Sequence, residues 1–145
     1  MRLLAAVHRV GAPIVELGIP FSDPIADGPV IAESMHQALV RGVTPNGIFE
    51  AVREMRTGKD PATARAATDL GIMAMVSVSI VQRMGFDRFV DAMAEAQLDG
   101  IIVPDIDIEL APKLAAACDR RDLACSFLIA PSSKPERIRV VVENC

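Results

Sequence analysis

Tryptophan and tyrosine are absent from these 145 residues, and five phenylalanines are the only aromatic side chains. Acidic residues (19) outnumber basic ones (15), giving a net charge of −4 and a pI near 5.1. Nucleic-acid binding wants a basic face and stacking rings, and neither is present. Arg120-Arg121 is too short to make a basic patch and reads as solvated surface. Cysteine is scarce and odd in number. Cys118, Cys125 and Cys145 lack Cys-x-x-Cys spacing, so they read as reduced cytosolic thiols, with no disulfide framework or metal site expected. His8 and His36 are far apart in sequence and read as surface residues. No apolar run reaches the ~18 residues of a membrane-spanning helix. Met1 to Gly11 lacks the long apolar region and small-residue cleavage site of a secretory signal, so no export and a cytoplasmic location are expected.

What is present is apolar content: 51% hydrophobic residues and a mean hydropathy of +0.33. Without a membrane span, that richness suits strands buried on both faces of a parallel sheet covered by helices. No low-complexity tract, linker or boundary divides the chain, so residues 1–145 are expected to form one domain.

Short apolar runs alternate with amphipathic ones. A helix tail over Met1–Arg9 is closed by Gly11, and the strand Ile14–Leu17 comes next. Val30–Val40 carries a one-sided stripe at Ile31, Met35, Ala38 and Leu39, ending at Gly42. Thr44-Pro45 restarts a helix as cap and first residue, with Ile48, Val52 and Met55 inward. Gly58 and Pro61 break Thr57–Asp69, whose alanines suggest another helical turn or two. Ile72–Val78 reads as a buried strand, and Phe86, Phe89, Val90 and Met93 as the next helical stripe. Ile101–Val103 is a strand ended by Pro104-Asp105, Ile108–Cys118 a helix, Ala124–Ile129 a strand and Pro135–Val142 a last helix. This β/α repetition fits either a doubly wound sheet or a (β/α)8 barrel, and pattern alone does not choose. In both, the loops after the strands form the active face.

One such loop is unusual. Ile14–Leu17 is apolar except for Glu16, and a carboxylate inside an apolar strand is costly unless paired or functional. Pro20, Pro24 and Pro29 stiffen the loop after this strand, and Asp23 and Asp27 stand on that rigid loop. Carboxylates at such an edge act as general acid and base when their environments differ. The plain alternatives are turn chemistry for Asp23 and charge at a helix N-terminus for Asp27.

The run V-E-L-G-I-P-F-S-D-P-I-A-D-G-P over residues 15–29 resembles the signature of the tryptophan synthase alpha chain family. The likeness continues through Ala38–Thr44, Asp99–Asp105 and Phe127–Ser133. It implies an α/β fold that is part of a TIM (β/α)8 barrel, truncated at both ends, with four strands corresponding to the family's second to fifth. It also implies retro-aldol cleavage of indole-3-glycerol phosphate to indole and glyceraldehyde 3-phosphate, in L-tryptophan biosynthesis. By motif position Glu16 and Asp27 fall on the catalytic carboxylates, Pro20 and Asp23 on a loop facing the partner, and Phe21 and Ser77 on substrate-binding positions. The resemblance implies no cofactor or metal in this chain. The expected partner is a pyridoxal-phosphate-dependent beta chain in an α2β2 tetramer. Ser77-Val78-Ser79-Ile80 stands where the family usually has Tyr-x-Asn-Pro, and Asp107 where it favours proline. A TIM barrel needs ~250 residues and a phosphate site near its last strands. That glycine-rich cradle is not found here, so the chain is expected to be inactive alone. A stand-alone indole-3-glycerol phosphate lyase and a non-catalytic partner-binding half-barrel are the alternatives.

Overall fold

The computed structural model describes residues 2–24, 27–58 and 69–145. The described elements run α1 (Arg2–Arg9), β1 (Ile14–Gly18), α2 (Pro29–Val40), α3 (Pro45–Arg56), β2 (Gly71–Met75), α4 (Val78–Met84), α5 (Phe86–Glu95), β3 (Gly100–Ile102), α6 (Ala111–Asp119), β4 (Ala124–Ser126) and α7 (Pro135–Glu143). The strands form one parallel sheet in the order β1-β2-β3-β4. A doubly wound sheet reverses its strand order at a switch point. These four strands do not reverse, which is the winding of a (β/α)8 barrel.

Register assigns the two faces of the sheet. Leu17, Ala74, Ile101 and Cys125 form one row, and Glu16, Met73, Gly100 and Ala124 the next, on the opposite face. The first row meets the helices. Ile72, Ala74 and Ile101 join Val52 and Met55 of α3, Phe89, Val90 and Met93 of α5, and Leu114 of α6 in one buried cluster. Phe49 meets Phe89 edge-on, centroids 5.4 Å apart. The second row lines the concave face, where Glu16 and Ala124 are exposed and Met73 is half-buried. Gly100 is obligatory in that row: a Cβ there would lie 2.5 Å from the Ala124 carbonyl oxygen and 2.7 Å from the Met73 sulfur. The Gly100→Ala substitution is expected to cost about 1–3 kcal/mol, because the backbone oxygen cannot yield; urea unfolding of the variant measures it.

Local chemistry explains the helix ends. Gly11, at φ +97°, closes α1 by donating to the His8 carbonyl at 2.9 Å. Thr44 caps α3, its hydroxyl accepting from the Gly47 N–H at 3.2 Å, with Pro45 first in the helix. Thr44→Ala is therefore expected to lower stability by about 1 kcal/mol, read from the denaturation midpoint. Arg56, at the other end of α3, ties the floor of the sheet together. It donates to the Leu70 carbonyl at 2.8 Å and the Gln97 carbonyl at 2.9 Å, and pairs with Asp99, whose carboxylate also accepts from the Ile72 N–H at 2.7 Å.

Several expectations change. The apolar run over Ile72–Val78 is not all strand: β2 ends at Met75, and Val78 opens α4, a helix that the sequence pattern does not announce. Ser77 causes the switch, its hydroxyl accepting from the Ser79 N–H. The strand expected over Ala124–Ile129 stops at Ser126, leaving Leu128 and Ile129 about half exposed. The helix expected from Ile108 begins at Ala111, with Pro112 in its first turn. The stripe on α2 is not core: that helix has no buried residue, and Ile31 is 49% exposed. Glu16 is likewise exposed rather than buried, because its face of the sheet is open. Arg120 and Arg121 do lie at the surface, where they pair with Asp87 and Asp91 of α5. The alanine-rich turn expected within Thr57–Asp69 falls largely on residues 59–68, outside the described residues. Cys118 and Cys125 sit together between α6 and β4; the hydrogen bond that the Cys125 thiol donates to Cys118, with burial, pushes Cys125 far above its ordinary range.

Candidate active site

The loops that leave β1, β2 and β3 meet above the carboxyl ends of those strands. The Ile19 N–H continues the ladder to the Met75 carbonyl at 2.9 Å, and the Val76 N–H continues it to the Ile102 carbonyl at 3.0 Å. These bonds fix where each loop departs. Ile19 is 2% exposed, so the proline-rich loop springs from a buried anchor. Its Asp27 N–H returns to the Pro24 carbonyl at 3.2 Å, ahead of Gly28 and the first turn of α2.

Between the loops lies a cavity of about 340 Å³. Ile19, Phe21, Met35, Met75 and Val76 are among its apolar walls; Asp23, Asp27, Ser77 and Asp105 are its polar ones. Among the described lining residues there is no lysine, arginine or histidine. Thus Phe21, Asp23, Asp27 and Ser77, singled out by motif position, share one cavity. Glu16 and Pro20 do not line it. Glu16 stands one row below Gly18 and Met75 on the same face, two residues or roughly 6–7 Å along the strand. Pro20 is half-buried beside Phe21. Among the described residues no group of three or more His, Cys, Asp or Glu side chains can hold a metal ion. Nor is any helix of the described residues long and apolar enough to cross a membrane.

The wall formed by β2 and β3 is braced by Asp105, a residue to which the sequence pattern assigns no role. It accepts from the Ser77 hydroxyl at 2.7 Å and from the Val78 N–H at 2.8 Å. The hydroxyls of Ser77 and Ser79 lie 2.8 Å apart, and with the Ser77 proton committed to Asp105, Ser79 is the donor between them. One carboxylate therefore holds both Ser77, the cap of α4, and the first N–H of that helix. The signal was available: in a sheet ordered consecutively, Pro104-Asp105 ends the strand beside the one that leads into Ser77. Asp105→Ala is expected to cost about 1–2 kcal/mol by freeing the Ser77 hydroxyl and the Val78 N–H. Thermal unfolding measures the loss, and amide exchange at Val78 should rise with it.

Acids and an apolar cavity gathered over the carboxyl ends of consecutively ordered parallel strands match the layout of the active face of a β/α barrel. Within that class the chain belongs to the tryptophan synthase alpha chain family, whose profile matches residues 1–145. The family is one of lyases in tryptophan biosynthesis. The chain is 38% identical over 139 residues to the tryptophan synthase alpha chain of Aromatoleum aromaticum, covering 96% of this chain and 48% of the relative. It is 36% identical over 142 residues to that of Methanosarcina acetivorans, covering 98% and 48%. Among solved structures, tryptophan synthase subunit alpha from Legionella pneumophila superposes with a TM-score of 0.86 at 29% identity, over 99% of this chain and 52% of that one. Tryptophan synthase from M. tuberculosis gives a TM-score of 0.82 at 34% identity, over 97% and 53%. The chain spans about half the length of the relatives it matches, and its fold is that share of a (β/α)8 barrel.

Proposed function

We propose that this chain carries the acid–base part of an alpha-subunit site that cleaves indole-3-glycerol phosphate to indole and glyceraldehyde 3-phosphate. The observation that carries the reading is the cavity, apolar enough for a flat ring and edged by Asp27, whose carboxylate suits a ring N–H. In this reading Phe21 packs on the indole. Asp27 accepts the indole N–H and stabilises positive charge on the ring when C3 is protonated. Glu16 protonates C3 and takes the glycerol hydroxyl proton, so that the C–C bond breaks with indole as leaving group. Ser77, held by Asp105, closes the side where the family has a tyrosine. No cation appears among the described lining residues, so the phosphate is held elsewhere in a complete barrel, and the chain alone turns nothing over. Pro20 and Asp23 face a beta chain carrying pyridoxal phosphate; the solved relative from Pyrococcus furiosus is a tryptophan synthase complex.

Ring binding and phosphate binding can be separated. Indole added at millimolar concentration to the isotope-labelled chain should shift the amide resonances of Phe21, Asp27 and Ser77, while glycerol phosphate should shift none of them. Glycerol phosphate bound at this cavity, or indole bound away from it, would overturn the reading.

A further inference from the structure

We propose that Cys118 and Cys125 are a redox-active pair that closes into a disulfide within the native fold, pinning α6 to β4. The pair is independent of the catalytic reading. Both cysteines and the turn between them belong to one helix–strand unit, residues 111–126, so their pairing does not depend on what lies beyond either end of the chain.

The backbone brings the two thiols together. Cys118 stands in the last turn of α6, fully buried in the core. Its carbonyl accepts from the Leu123 N–H at 3.1 Å, around Asp122 at φ +54°, a left-handed turn of the kind that closes helices. That bond sets where the chain re-enters the sheet. Side chains alternate along a strand, so Leu123 and Cys125 share a face. It is the face that meets the helices: Leu123 joins Cys118 in the buried cluster, and Cys125 packs against that cluster. Helix α6 lies on β4 with one thiol on each side of the seam. The Cys125 thiol donates a hydrogen bond to Cys118. Accepting it holds Cys118 below its ordinary range, against burial and the Asp119 charge. Among the described residues no third donor joins the pair to make a metal site.

A disulfide demands side chains that point at each other, which these thiols do, and sulfurs about 2.05 Å apart. A small-molecule disulfide supplies the oxidising power. One cysteine attacks glutathione disulfide, forming a mixed disulfide and releasing one glutathione thiol. The other cysteine attacks the protein sulfur of that mixed disulfide, and the second glutathione leaves with the remaining proton. Two protein thiols are oxidised and one glutathione disulfide is reduced. The product is a covalent tie across a helix–strand turn, reversible by thiols. A short loop closed in this way restrains the unfolded chain, so the oxidised form is the more stable.

Glutathione disulfide added to the folded, reduced chain tests the proposal without any substitution at the pair. Trypsin cuts after Arg120 and Arg121, so the two cysteines fall on different peptides. The expected digest, made without reductant, contains those two peptides joined. The urea midpoint of the oxidised chain should rise, and dithiothreitol should reverse both changes. Cys145→Ser should alter neither, since the exposed third thiol takes no part. Cys118 and Cys125 recovered unlinked, or with glutathione still attached, would overturn the proposal. So would a bond from either of them to Cys145, or an oxidised chain that unfolds at lower urea than the reduced one.

Discussion

Glu16→Gln is expected to lower indole release by about 10²–10⁴-fold in a barrel completed by a family member's remaining strands, the range that a positioned general acid–base contributes. The amide keeps the size and most of the hydrogen-bonding capacity of the glutamate but cannot carry a proton from the glycerol hydroxyl to ring carbon. Stability should barely move. Glu16 is exposed on the concave face, and surface substitutions of that kind stay within about ±0.5 kcal/mol. That combination distinguishes a chemical role from a structural one. Asp27→Asn should act differently, since the amide still offers an oxygen to the ring N–H while losing the charge that stabilises the protonated ring. Its cost should appear in turnover more than in indole affinity. A Glu16→Gln enzyme with ordinary turnover would move the proton transfers to another group, and Asp23 at the cavity edge would be the next to test.

The largest stability effect is expected at Arg56. Its side chain is 7% exposed and ties α3 to two segments: Leu70 before β2, and Gln97 with Asp99 before β3. Arg56→Met should cost about 2–3 kcal/mol, because the partly buried Leu70 carbonyl, the exposed Gln97 carbonyl and the Asp99 carboxylate each lose a charged donor. The loss is held below that of a fully buried pair by Asp99 itself, 52% exposed, whose freed carboxylate returns to water. Asp99→Asn should cost less, since the amide oxygen still accepts from the Ile72 N–H. Urea midpoints at one protein concentration compare the two, with concentration fixed because association would otherwise shift them.

Much of this architecture is legible in the sequence. Ile14–Leu17 is β1 to within one residue, and Thr44-Pro45 starts α3 because the hydroxyl and the missing N–H are both local facts. Strand ends are less legible, since an apolar run records burial and a strand records partners. Val76 is 2% exposed and Phe127 is 5% exposed, yet both lie just past the last residue of their strands. The α2 stripe does mark a helix, but periodicity shows that a helix has an apolar face, not that something covers it. At the site, motif position brought Phe21, Asp23, Asp27 and Ser77 to one cavity. Asp105 went unassigned because its partners are 27 and 28 residues away and become neighbours only when β2 and β3 pair. The cost of a buried carboxylate does not apply to Glu16, whose side chain is exposed, and its case rests on motif position and on sharing a face with the cavity.

The most direct test of the acid–base role is to place residues 1–145 in a family member's barrel, in place of the homologous segment, and measure indole release from indole-3-glycerol phosphate. Measurable release is expected from the hybrid, with its loss on Glu16→Gln and none from the 145-residue chain alone. A folded hybrid without activity, or indole released by the chain unaided, would contradict that role.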